Sequence, residues 1–100
     1  MTCSIALGWI AYEIAAAPEW DRAQIRRLAR HLGYHLVWPC ERSVLPVAVQ
    51  ARNAAADLVI LSAPAHLSAL ELNAVMEVAD VETVSPRLSF ARWASSGMVR

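Results

Sequence analysis

The apolar positions of this chain fall into runs whose period alternates between strand-like and helix-like. Residues 4–12, SIALGWIAY, are almost continuously apolar, the pattern of a parallel strand buried on both faces. A short Ala-rich loop follows over 14–17. From Pro18 the period lengthens: Ile25, Leu28, Ala29 and Leu32 recur at i, i+3, i+4 and i+7, which predicts a helix with one apolar stripe. Pro18 suits a first helical turn, where its missing N–H is no loss. Glu19 and Asp21 near the start, and Arg30 and His31 near the end, complement the helix dipole. Gly33 is placed to close the helix at positive φ.

Residues 34–38, YHLVW, predict a second strand closed by Pro39. Residues 44–56 predict a helix with an irregular start, since Pro46 is tolerated only in its first turn. Residues 57–62, DLVILS, predict the third strand. Over 68–79 the signals are those of a second strong helix. Ser68 and Glu71 form an S-x-x-E capping box, Leu67 and Leu72 a hydrophobic staple, and Leu72, Val75, Met76 and Ala79 the buried stripe. Residues 80–84 predict a fourth strand. Beyond Pro86, Leu88 and Phe90 alternate, and Trp93 follows Phe90 at helical spacing. Strands alternating with helices predict an α/β fold: three layers, a four-stranded mainly parallel sheet in the order 2-1-3-4, and helices on both faces. Residues 1–86 would form this domain and 87–100 a C-terminal tail. The topological switch point would lie between the first and third strands.

Composition narrows the function classes. One hundred residues hold a single core, and 57% hydrophobic content excludes an intrinsically disordered chain. Nine Arg, with no Lys, balance nine acidic residues. That neutrality argues against non-specific binding to nucleic acid or an anionic membrane, which depends on net positive charge. No charge-free stretch approaches the ~20 apolar residues of a membrane span. The apolar N-terminus lacks a basic leader region and is interrupted by Glu13, so it reads as a strand and the protein as cytoplasmic. Cys3 and Cys40 are expected as free thiols. They fall at opposite ends of neighbouring parallel strands, too far apart for an intrachain disulfide.

Some local text resembles the N-terminal domain of serine recombinases, the resolvase–invertase family. That family opens with a strand of the form G-Y-x-R-x-S, and the corresponding text here is Gly8-Trp9-Ile10-Ala11-Tyr12-Glu13. Leu32-Gly33-Tyr34 resembles the family's entry to strand two. Asp57-Leu58-Val59-Ile60-Leu61 followed by Ala65-His66-Leu67-Ser68 resembles the stretch that runs into D-R-L-x-R. The resemblance covers roughly residues 4–86 and implies the fold. It does not carry the chemistry. The family's nucleophilic Ser falls at Glu13, its strand-one Arg at Ala11, and its D-R pair at Ala65 and His66. Phosphoryl transfer needs cations around the scissile phosphate, and a carboxylate at position 13 would repel it.

Among candidate sites, the carboxyl ends of the strands would gather Glu13, Cys40, Glu41, Ser62, His66 and Ser85. Of these, Glu13, Cys40, Ser62 and His66 form a candidate ligand crevice. A Cys–His–Glu arrangement of Cys40, His66 and Glu13 would need a thiolate held by imidazole. No local signature supports it, and Cys40 reads as a semi-buried thiol. His31 and His35 are separated by the helix break at Gly33, and no Cys or His pair has zinc-ligand spacing, so neither metal nor cofactor is expected. Arg22, Arg26 and Arg30 form an i, i+4, i+8 row with Arg27 beside it. This is a candidate face for an anionic partner, set against a solvated face paired locally with Glu19. Trp9 and Trp38 are expected in the core, while Trp20 and Trp93 are candidate contact residues. Leu88, Phe90 and Trp93 are candidates to cover a sheet edge or a neighbouring subunit. The resulting expectation is a non-catalytic domain acting through protein–protein contact, most simply as a twofold homodimer. The alternatives are a small-ligand or anion-binding crevice and, third, an accessory DNA binder using the arginine row.

Overall fold

The computed structural model describes residues 4–39 and 44–93. The first apolar run becomes β1 (Ile5–Trp9), and the amphipathic segment after it α1 (Pro18–Leu32). There follow β2 (His35–Val37), α2 (Val47–Asn53), β3 (Leu58–Leu61), a single 3-10 turn (Pro64–His66), α3 (Ala69–Met76), β4 (Asp80–Thr83) and β5 (Leu88–Phe90). The class is α/β, with one mixed sheet in the order β2-β1-β3-β4-β5. β2, β1, β3 and β4 pair in parallel, and β5 is antiparallel to β4.

The five-stranded mixed sheet corrects the four-stranded expectation. A turn that the periodicity does not encode creates the extra strand. The Thr83 hydroxyl accepts the Leu88 N–H at 3.1 Å and donates to the Pro86 carbonyl, folding residues 84–87 back on β4. The Ser85–Pro86 peptide in this turn is cis. Leu88–Phe90 is also shorter than the window over which alternation is diagnostic.

Alternation along the strands sends side chains to two cores. Ala6, Ile10, Leu58 and Ile60 meet Ile25, Leu28 and Ala29 of α1 on one face. Leu7, Val59, Leu61 and Val81 meet Val47 and Ala51 of α2 and Val75 of α3 on the other. Trp9 and Trp38 pack against these two cores from opposite faces and are partly buried. α1 lies across β1, β2 and β3. Beyond it, on the same face, β4 carries Asp80 and Glu82, in register with Leu58 and Ile60.

The helix ends follow local chemistry. Gly33 adopts φ +81, and Tyr34 N–H bonds to the Ala29 carbonyl at 2.9 Å, closing α1. Ser68 and Glu71 form the expected reciprocal box, at 2.8 and 3.1 Å. Leu67 and Leu72 both join the same core. α2 is shorter than the expected 44–56: it begins after Pro46, and the chain turns at Ala55, φ +55, to enter β3.

Candidate functional site

Two connections leave the carboxyl ends of β1 and β3 and meet through one imidazole. His66, at the end of the 3-10 turn, accepts the Ala11 N–H on Nδ1 at 2.9 Å. A backbone amide only donates, so Nδ1 carries the lone pair and Nε2 the proton. Nε2 is 3.1 Å from the Ser62 Oγ and therefore donates to it. Both side chains are buried. In this arrangement the histidine is not placed to take a proton from Ser62, as a serine nucleophile would require. The bridge instead ties the β1–α1 connection to the β3–α3 connection.

The other crevice candidates do not join this bridge. Glu13 lies exposed in the turn after β1 and makes no hydrogen bond or ion pair among the described residues. Ser85 is exposed, and its backbone N–H bonds to the Ser62 carbonyl at 2.8 Å. Cys3, Cys40 and Glu41 lie outside the described residues. Among the described residues no three His, Cys, Asp or Glu side chains gather to hold a metal ion. No described helix is long and apolar enough to cross a membrane.

Beside the bridge, the carboxyl end of β2 carries a stacked group. The six-membered ring of Trp38 covers Gly8 so closely that a Cβ there would come within 2.6 Å of it. Glycine in a strand marks such a close approach. The Arg22 guanidinium lies over the indole, 4.7 Å from its centroid, and donates to the Tyr12 hydroxyl. Ile10, Tyr12, Arg22, Trp38 and Pro39 enclose a cavity of about 180 Å3. A glycine at position 8, inside an apolar run, is a sequence signal for such packing. Its partner Trp38, and the role of Arg22 and Tyr12 on top of it, have no such signal.

The arginine row divides. Arg22 belongs to the Trp38 stack, whereas Arg26 and Arg30 are exposed. Arg27 faces a groove with Gln24, Leu28, His31, Val84 and Arg87. The local pairing with Glu19 does not form. Among the described residues the ion pairs are Arg87–Glu82 at 3.3 Å and Arg92–Asp57 at 3.9 Å.

The expected contact residues also separate. Trp20 is 64% exposed in the first turn of α1. Phe90 packs on the α2/α3 core and Leu88 is more exposed. Trp93 is anchored to α3: its N–H bonds to the Met76 carbonyl at 2.7 Å and its Nε1 to Asn73 Oδ1 at 3.2 Å. Leu88, Phe90 and Trp93 thus belong to the segment that covers the β4 edge of their own sheet. Compared with known proteins, the chain matches no protein-family model, no curated protein and no solved structure.

Proposed function

We propose that this domain is a non-catalytic module that works by protein–protein contact, and that its partner is a second copy of itself. The observation that carries this reading is the exposure of Tyr12, Ile14 and Trp20, at 51, 53 and 64%. All three lie in residues 12–20, the connection out of β1 and the first turn of α1, close to the Arg22–Trp38 stack. Trp, Tyr and Arg dominate the centres of protein interfaces because they bury large area and still satisfy polar groups. Glu13 and Glu19 in this segment, with Arg22 and Arg26 following it on α1, supply both signs of charge, and a twofold contact requires a self-complementary patch.

The hydrogen bonding of His66 supports the non-catalytic part of the reading. So do the departures from the serine recombinases that the chain's local text resembles. With Glu13 and Ala11 in place of the Ser and Arg, and a histidine that accepts a backbone N–H in place of a cation, a scissile phosphate would find little stabilisation. A small-ligand role for the crevice of Glu13, Ser62 and His66 has less support, because Ser62 and His66 are buried and bonded to each other and Glu13 does not join them.

The test is absolute molar mass by light scattering over a concentration series, at low and high salt. The expected result is a mass near twice the 11.0 kDa of the chain. The exposed pair Tyr12→Ser/Trp20→Ser should give a folded monomer. A wild-type monomer at every concentration overturns the proposal.

A further inference from the structure

α1 leaves the β4 side of its own face open, and the open flank is cationic. A groove of about 240 Å3 runs between α1 and the β4–β5 turn. Gln24, Arg27 and His31 line it from α1, at i, i+3 and i+7, which places them on one flank of the helix. Arg87 lines it from the turn. Its apolar floor is Leu28, which is buried, and Val84, which packs on the same core.

The charges in this groove are poorly balanced. Glu82 is the carboxylate bound to one of its lining residues, and it is already engaged: it accepts from Arg87 Nη2 at 3.3 Å and from Ser89 Oγ at 2.7 Å. The Arg27 and His31 side chains make no hydrogen bond or ion pair among the described residues. Two guanidinium groups, an imidazole and an amide therefore belong to the lining of a small space with an apolar floor. We infer that this groove binds a small phosphomonoester, the phosphate between Arg27 and Arg87 and a compact apolar body on Leu28 and Val84.

A phosphate fits better than a carboxylate. It offers three oxygens and up to two negative charges to the Arg27 fork and to the Arg87 nitrogens not bound to Glu82. A polyanion such as DNA fits worse, because the neutral chain supplies no extended field to hold it.

Titration of the full-length 15N,13C-labelled protein with phenyl phosphate, followed by NMR, tests the inference. Saturable shifts are expected at the Arg27 and Arg87 side-chain Nε and at the Val84 methyls. Phenyl phosphate should bind more tightly than inorganic phosphate. Exposed Arg27→Gln should weaken binding by about tenfold or more through loss of one charge-assisted fork. Arg52→Gln, on α2 across the sheet, should leave it unchanged. No saturable shift with either probe overturns the site, as does unaltered affinity in Arg27→Gln. Equal affinity for the two probes overturns the monoester assignment.

Discussion

His66 is a polar residue placed where an apolar one would leave the chain unsatisfied. The Ala11 N–H and the Ser62 hydroxyl both meet it in a part-buried or buried setting. His66→Ala should therefore cost about 3 kcal/mol, from a cavity together with an unpaired amide. Ser62→Ala should cost about 1 kcal/mol, since it removes the partner of Nε2 and leaves the Ala11 bond to Nδ1 in place. Urea unfolding of the two variants checks the order. A smaller loss for His66→Ala than for Ser62→Ala would mean that the imidazole is not the bridge. The meeting of Ser62 and His66 at the strand ends was legible in the sequence; the Ala11 contact was not, because Ala11 carries no side-chain signal and meets His66 only after the sheet has formed. Gly8 was partly legible: a glycine inside an apolar strand announces that something packs closely, without saying that it is Trp38.

At the scale of the element, the ends of α1 and the start of α3 were readable because their chemistry is sequence-local. Pro18, Gly33 and the Ser68–Glu71 box act within a few residues of themselves, and each takes its expected place. α3 depends on its cap more than α1 does. It is 8 residues long against 15, and α1 has no side-chain cap at all. Short helices lose a larger share of their hydrogen bonds to unsatisfied ends. Ser68→Ala should lower the unfolding free energy by about 1 kcal/mol, measured by chemical denaturation. A change within error would place the stability of α3 wholly in its packing through Val75. What escaped the sequence was the class of information that is not local. The fold-back at Thr83 depends on a side chain bonding to backbone at Pro86 and Leu88, and the division of the arginine row depends on which neighbour each flank of α1 meets. Ser62 and His66 were expected in one crevice and do meet, but the stacking of Arg22 on Trp38 and the groove that Arg27 shares with Arg87 were set by the tertiary fold.

For the whole molecule, the question is how a sheet with two edges remains a well-behaved unit. β2 and β5 form the edges, and each is only three residues long. Short edge strands with flanking charge are poor templates for further strand pairing, and β5 is flanked by Arg87 and Arg92. β4 would be a worse edge, being longer and buried at Val81 and Thr83. Its neighbour β5 also brings Phe90 onto the core, and the Trp93 that follows fixes the segment to α3 through Met76 and Asn73. Truncation after Pro86 should therefore do something different from the Tyr12→Ser/Trp20→Ser pair. The surface variant should remain folded and become monomeric. The truncated chain should lose about 2 kcal/mol or more from Phe90 alone, and its bared β4 should drive concentration-dependent association of ill-defined mass. Light scattering and urea unfolding on the same samples separate the two outcomes. A truncated protein with wild-type stability and a single defined mass would show that residues after Pro86 contribute neither to the core nor to edge protection.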